Sequence, residues 1–133
     1  GLLPEKDLDY FVYKPVKSLV DFIRQKKTIS ICFPRNINNY KKFVDNVNPD
    51  IISIDYNVDP SIIRDTIDIP VQGGLDPKIL LQNKEIVRNE VTKYLKTFDK
   101  KRYIFNLGHG VLPETNPDMV RYLVDEVRSF NGQ

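Results

Sequence analysis

The sequence is poor in the residue types that build covalent cross-links and metal centres. Among its 133 residues it has one cysteine, Cys32, one histidine, His109, and no tryptophan. A single cysteine excludes a disulfide within the chain and fits a reducing compartment such as the cytoplasm. One cysteine and one histidine are also too few for a zinc site of the usual kind. We therefore expect no bound metal.

Long apolar runs and an excess of one charge are missing as well. The chain has 20 basic and 18 acidic residues, which gives a formal net charge of +2. The basic residues are scattered and are not interleaved with aromatic residues, so neither a nucleic acid nor a membrane surface is an expected partner. No segment is long and apolar enough to span a bilayer, and we expect no signal peptide. We predict a cytoplasmic protein with one domain, or part of one, over residues 1–133.

What the sequence does contain is a repeated pattern of a strand followed by a helix. The pattern predicts four strands, at 29–33, 50–54, 69–72 and 103–107. Apolar residues at helical spacing predict a helix after each strand, and a leading helix with Val16, Leu19, Val20 and Ile23 on one stripe. The tyrosines and phenylalanines at helical spacing, like Cys32 within its strand, are expected in the core.

Three helix starts carry a clear local signature. Asp59-Pro60, Asp76-Pro77 and Asn116-Pro117 each place a side-chain acceptor before a proline. The acceptor satisfies otherwise unpaired N–H groups at the N-cap, and proline is well tolerated at the first helical position. We therefore interpret Asp59 and Asp76 as helix caps rather than as site residues.

Alternating strands and helices predict an α/β fold with a parallel sheet covered by helices. Two architectures fit this pattern. A doubly wound sheet of four or five strands would make the chain a complete domain. A (β/α)8 barrel needs ~250 residues, so four strand–helix units would be about half of one. Periodicity alone leaves both open.

In both architectures ligands bind at the carboxyl ends of the strands. His109 lies at such an end, between Gly108 and Gly110. Glycines let a ligand approach closely and allow backbone conformations that other residues resist. An imidazole can donate to a carboxylate and carry a proton near neutral pH. The alternative is that His109 only packs in, or caps, a loop.

The other polar residues at the strand ends have simpler interpretations beside the functional ones. For Asp55 we favour a carboxylate that organises a loop by accepting backbone N–H bonds. Gln72 and Asn106 either orient a substrate or, as we favour, tie neighbouring loops together. Arg35 either pairs with an anionic ligand or is solvated. Gly73 begins a glycine pair that resembles a phosphate cradle only weakly, because no Walker or G-x-G-x-x-G pattern follows.

Three segments resemble the motifs of one enzyme family. Residues 103–118 resemble the C-terminal signature of uroporphyrinogen decarboxylases, in which N-L-G-H-G precedes the final helix. Residues 71–77 are similar to the family's Q-G-N-L-D-P motif, with Gly74 in place of the usual asparagine. Residues 54–56 are similar to its L-D-W segment, with Tyr56 in place of tryptophan. The resemblance extends over essentially the whole chain.

The resemblance implies a fold and a reaction. Members fold as (β/α)8 barrels, usually as homodimers, and need no cofactor or metal. They remove the four acetate carboxyl groups of uroporphyrinogen III in porphyrin and heme biosynthesis, giving coproporphyrinogen III. The family's substrate-contacting histidine maps to His109. Its aspartate, arginines, tyrosine and serine belong to the amino-terminal part, so no catalytic residue is expected here.

The resemblance also implies that this chain is the C-terminal half, the last four βα units, of a TIM barrel. The sequence begins at Gly1 rather than methionine, which fits that expectation. Half a barrel has two open strand edges and an uncovered inner face. We therefore expect the chain to aggregate, to self-associate or to need the missing amino-terminal half, and to be inactive alone.

Three other functions fit parts of the sequence. A corrinoid or thiol methyltransferase shares the barrel but usually binds zinc, for which the lone Cys32 is insufficient. A signalling receiver domain would match Asp55 as phosphoacceptor, but the chain lacks the acidic pair and the lysine that such domains need. A non-catalytic remnant, serving as an interaction module or arising from a pseudogene, is the main alternative. Intact strand patterning and helix caps argue against long decay.

Overall fold

The computed structural model describes residues 3–99 and 101–130, so Gly1 lies outside the described part. Two short helical segments, Glu5–Asp7 and Asp9–Tyr13, lead into the first α-helix. The α-helices that follow within the described residues are α1 (Lys14–Gln25), α2 (Tyr40–Val47), α3 (Pro60–Thr66), α4 (Lys84–Thr97) and α5 (Pro117–Ser129). The strands are β1 (Ile31–Cys32), β2 (Ile51–Ile54), β3 (Val71–Gly73) and β4 (Tyr103–Ile104). A short 3-10 helix, Pro77–Leu81, precedes α4.

The four strands form one parallel sheet in the order β1-β2-β3-β4. The α/β prediction is therefore confirmed. The strand order also decides between the two architectures. A doubly wound sheet reverses its strand order at a switch point, whereas consecutive strands of a barrel are neighbours throughout. The sheet is that of four consecutive units of a (β/α)8 barrel.

The two faces of this sheet differ, and we call them the helix face and the inner face. Strand register places Cys32, Ile52, Val71 and Tyr103 in one row on the helix face, where they join the core. The next row, Ser53, Gln72 and Ile104, points to the inner face, away from the core. Within the described residues, helices cover only the first of these faces.

The core fills the space between the helix face and the α-helices. Its largest fully buried side chains come from strands and helices alike, which shows that both contribute to one cluster. These side chains are Phe98, Ile52, Ile54, Ile63, Ile67, Leu75, Leu80, Val20, Val47, Val87 and Val91. Tyr40, Phe43, Tyr94 and Phe98 are buried as expected, and Cys32 is partly buried against the same cluster.

The helix caps are confirmed. The carboxylate of Asp59 accepts the N–H of Ser61 at 2.9 Å at the start of α3. The side chain of Asn116 accepts the N–H of Asp118 at 2.9 Å at the start of α5. Asp76 caps the short 3-10 helix rather than α4, whose own cap is Asn83.

The two strands at the edges of the sheet fall furthest short of their predicted lengths. β1 covers two of the predicted residues 29–33, and β4 two of the predicted residues 103–107. An edge strand has a pairing partner on one side only, and Pro34 has no N–H to extend the first ladder. The prediction for α1 was also partly wrong. Val20 is buried, but Leu19 is 61% exposed although it was assigned to the same stripe.

Candidate functional site

A concave pocket of about 420 Å³ lies on the inner face, at the carboxyl ends of the strands. Two of the predicted polar residues, Gln72 and Asn106, line it together with the segment that carries His109. The full lining is Ile31, Phe33, Ser53, Gln72, Asn106, Leu107, Gly108, His109 and Gly110. This is the edge of the sheet where parallel α/β folds bind ligands.

His109 stands exposed at the rim of this pocket. Its side chain forms no hydrogen bond with any residue in the described part of the chain, so neither ring nitrogen is engaged by a loop or a cap. Gly108 and Gly110 both have ordinary backbone conformations, so the conformational freedom expected of them is not used. The positive φ angles of this region are at Gly73 (91°) and Gly74 (110°) instead.

Gly108 is required for a steric reason. A Cβ atom there would lie 2.5 Å from the backbone nitrogen of Tyr56 and 2.8 Å from the carbonyl carbon of Asp55. A Cβ atom at Gly110 would meet nothing within 4 Å, so the space beside His109 is open on that side. The histidine loop therefore packs directly against the peptide that follows β2, and its other end is accessible to a ligand.

Backbone hydrogen bonds join the histidine loop to the loop after β3. Gly108 donates its N–H to the carbonyl of Leu75 at 2.7 Å, and Leu75 donates to the carbonyl of Asn106 at 3.4 Å. The side chain of Asn106 accepts the N–H of Leu107 at 2.9 Å. The backbone of Asn106, rather than its amide side chain, makes the link between loops that we predicted for this residue.

Asp55 organises the loops after β1 and β2. Its side chain is buried, at 2% exposure, and its two oxygens accept the N–H groups of Asn36 at 2.7 Å and Asn57 at 2.8 Å. The backbone N–H of Asp55 donates to the hydroxyl of Tyr40 at 3.0 Å. Two backbone donors compensate the burial of the carboxylate. This is the geometry of the loop-organising carboxylate favoured from the sequence.

The glycine pair at the end of β3 accepts hydrogen bonds from two tyrosines. Tyr103 donates its hydroxyl to the carbonyl of Gly73 at 2.9 Å, and Tyr94 donates to that of Gly74 at 2.6 Å. Burial raises the pKa of Tyr94 to about 12, and it also raises the pKa of Tyr103. Both hydroxyls thus remain protonated donors at neutral pH.

The departure from the family pattern at Gly74 has a structural reason in this chain. A Cβ atom there would lie 2.8 Å from the ring of Tyr94 and 3.0 Å from the Cδ1 atom of Ile54. The φ angle of 110° is also unfavourable for a residue with a side chain. Tyr94, rather than an asparagine amide, orders this loop.

Arg35 lies apart from the pocket. It is exposed in the loop after β1, where its backbone N–H donates to the carbonyl of Phe33 at 3.0 Å. The pocket-lining residues given above do not include it. The structure thus brings Gln72, Asn106, Gly108, His109 and Gly110 together and leaves Arg35 outside.

Sequence reasoning missed Ser53, which lines the pocket floor and is only 8% exposed. The signal was present, because Ser53 is the one polar residue within β2. Alternate residues of a strand face opposite sides, so a serine between buried isoleucines belongs to the opposite face. The sequence prediction considered residues that follow the strands, whereas Ser53 lies within β2.

Within the described residues, no group of three or more histidine, cysteine, aspartate or glutamate side chains is placed to hold a metal ion. No helix of the described part is long and apolar enough to cross a membrane. The site consists of an exposed imidazole at the rim of a pocket that has both polar and apolar lining residues.

Comparison with known proteins defines the family. The profile of the uroporphyrinogen decarboxylase (URO-D) family matches residues 1–130. This chain belongs to that family, whose name denotes a carboxy-lyase.

Three curated relatives, all named uroporphyrinogen decarboxylase, come from rickettsiae. The relative from Rickettsia felis is 39% identical over 98% of this chain and 39% of its own length. The relative from Rickettsia canadensis is 38% identical over 98% of this chain and 40% of its own length. For Rickettsia bellii the identity is 39%, over 98% of this chain and 39% of the relative. The chain thus spans about two fifths of the length of the relatives it matches.

Proposed function

We propose that this chain forms the carboxy-terminal part of a uroporphyrinogen decarboxylase. The complete barrel converts uroporphyrinogen III to coproporphyrinogen III by removing the carboxyl groups of its four acetate side chains. The observation that carries this proposal is the position of His109. Its imidazole forms no hydrogen bond or ion pair within the described residues, and it stands at the rim of a pocket at the strand ends.

The chemistry needs an electron sink rather than a cofactor. Protonation of a pyrrole carbon makes the ring able to accept the electron pair of the breaking carbon–carbon bond. Carbon dioxide then leaves, a proton replaces it on the side-chain carbon, and the pyrrole carbon loses the proton that it gained, which restores the aromatic ring. In this scheme His109 binds an acidic side chain of the substrate, because an imidazole can donate to a carboxylate near neutral pH. Its role is to orient the substrate.

The proposed activity requires a partner for this half of the barrel. Ile31, Phe33 and Ile104 on the inner face are each more than 40% exposed. Both edge strands also have only one neighbour in the sheet. An amino-terminal half that supplies four further strands would cover these residues and contribute the aspartate and arginines of the family. We infer that the complete enzyme is a cytoplasmic homodimer and that this chain alone is inactive.

A chimaera tests the proposal. We would join the part of the Rickettsia felis relative that lies outside the matched segment to residues 1–133, and we call the product the assembled enzyme. Uroporphyrinogen III would be supplied, and coproporphyrinogen III measured by chromatography. We expect activity from the assembled enzyme, none from residues 1–133 alone, and a strong loss of activity in the His109→Ala variant of the assembled enzyme.

The outcomes separate the alternatives. A folded but inactive assembled enzyme would favour a non-catalytic remnant over a decarboxylase. Activity from residues 1–133 alone would contradict the need for the other half. Circular dichroism of each protein distinguishes a lack of chemistry from a lack of folding.

A further inference from the structure

The floor of the pocket carries a pair of polar side chains beside apolar ones. Ser53 of β2 and Gln72 of β3 are register partners on the inner face. The neighbouring pocket residues Ile31 and Phe33 are apolar. A serine that is 92% buried on such a surface needs a hydrogen-bonding reason, because an unpaired buried hydroxyl is costly.

The two side chains satisfy each other only in part. Gln72 donates one N–H from Nε2 to the Oγ of Ser53 at 3.4 Å. Within the described residues the hydroxyl proton of Ser53 has no acceptor, and neither does the second N–H of Gln72. Two adjacent donors at the pocket floor can therefore bind a molecule that enters the pocket.

Two neutral donors side by side match the two oxygens of a carboxylate. Because Ser53 is buried, a hydrogen bond to its hydroxyl is stronger than it would be at the surface. Neutral donors also bind a carboxylate without the attraction of a full charge, which allows release of an acidic product. His109, at the rim of the same pocket, can contact a second acidic group.

We propose that Ser53 and Gln72 form a carboxylate-binding subsite on the pocket floor, distinct from the contact made by His109. The subsite rests on the proposed function, since a substrate with several acidic side chains needs several such contacts. Its effect is on substrate binding, so the two residues are determinants of specificity rather than catalytic residues.

Substitutions in the assembled enzyme test the subsite. Ser53→Ala removes one donor, and Gln72→Met removes the other while keeping the side-chain length. We expect each variant to raise KM about tenfold with kcat little changed, as for the loss of a hydrogen bond to a charged group. Gln72→Glu places a negative charge opposite the carboxylate and should raise KM about a hundredfold.

Matched controls separate these effects from general damage. Ser18→Ala and Gln82→Glu make the same chemical changes at exposed positions and should leave KM unchanged. If Ser53→Ala fails to fold, Gln72→Met still tests the second donor. An active wild type with unchanged KM in folded Ser53→Ala and Gln72→Met variants would overturn the subsite alone. An inactive wild type would overturn the proposed function and the subsite with it.

The product identifies which carboxylate is bound. Coproporphyrinogen III lacks the acetate carboxyl groups but keeps the other acidic side chains of the substrate. If its inhibition constant rises in parallel with KM in both variants, the subsite binds one of the retained carboxylates. If KM rises and the inhibition constant stays constant, the subsite binds an acetate. Either result supports the subsite.

Discussion

The two faces of the sheet are built from the same strands but are buried to different degrees. On the helix face, Ile52 and Val71 are buried in a core that five helices of the described part help to close. On the inner face, Ile104 is 44% exposed and Ser53 and Gln72 line an open pocket. The first face is apolar and closed, whereas the second mixes apolar and polar groups and stays open.

This difference separates stability from function within one short sheet. Side chains that are fully surrounded contribute transfer and packing energy, whereas half-exposed ones contribute little until a partner covers them. The helix face therefore stabilises the fold of this chain. The inner face supplies the pocket and the surface that a completing half would bury.

The largest expected effect on stability comes from a substitution in the core on the helix face. Ile52→Ala should cost about 3 kcal/mol in free energy of unfolding, because it leaves a cavity in a close-packed core. The same change at Ile104, which is half exposed, should cost less than about 1 kcal/mol in residues 1–133 alone. Urea denaturation followed by circular dichroism measures both values. Equal costs would contradict the asymmetry of the two faces.

A second prediction concerns the loop that carries His109 above the open face. Gly108→Ala should cost about 2 kcal/mol, because its Cβ atom would press on the backbone after β2 and nothing flexible can give way. The histidine should move with the loop, so the assembled enzyme should lose most of its activity.

Gly110→Ala is the matched control for this substitution. Its Cβ atom would meet open space, and its φ angle is not positive, so stability should change by less than about 0.5 kcal/mol. If both alanine variants behave alike, the contact between the histidine loop and the peptide after Asp55 does not position His109.

The parts of the fold that the sequence predicted are those governed by local rules. The caps at Asp59 and Asn116 depend only on a side chain and the next turn of backbone, and both were predicted correctly. Buried helical residues such as Val87 and Val91 followed from their spacing. Choosing between a barrel and a doubly wound sheet needed the strand order, which is a long-range property.

The candidate site was predictable in place but not in detail. The strand-end rule located His109 and Gln72, which do line one pocket. Neither the steric role of Gly108 nor the hydroxyls that hold Gly73 and Gly74 could be read from spacing, because each involves residues about 20 to 50 positions apart. Ser53 was missed because its role depends on which face of β2 is open.

The smallest predicted effect at neutral pH concerns Tyr94, which reaches from the helix face to the loop above the pocket. Its buried hydroxyl has a pKa raised to about 12, whereas a tyrosine in an unfolded chain titrates near 10. Between these values the unfolded chain has lost a proton that the folded chain still holds. The contribution of this hydroxyl to the free energy of unfolding should therefore be fully present below about pH 10. It should fall as the pH rises towards 12, by up to ~1.4 kcal/mol per pH unit.

Tyr94→Phe should remove the loss of stability at alkaline pH that comes from this hydroxyl. The free energy of unfolding should then decline less steeply with pH, by as much as ~1.4 kcal/mol per pH unit. At neutral pH the same variant should be less stable by about 1 kcal/mol, because the carbonyl of Gly74 loses its donor. Tyr10→Phe, at an exposed tyrosine, should change neither quantity. Urea denaturation at several pH values measures the slopes. Identical slopes in wild type and Tyr94→Phe would show that the hydroxyl is not held protonated by the fold, and that the two faces are not joined through this residue.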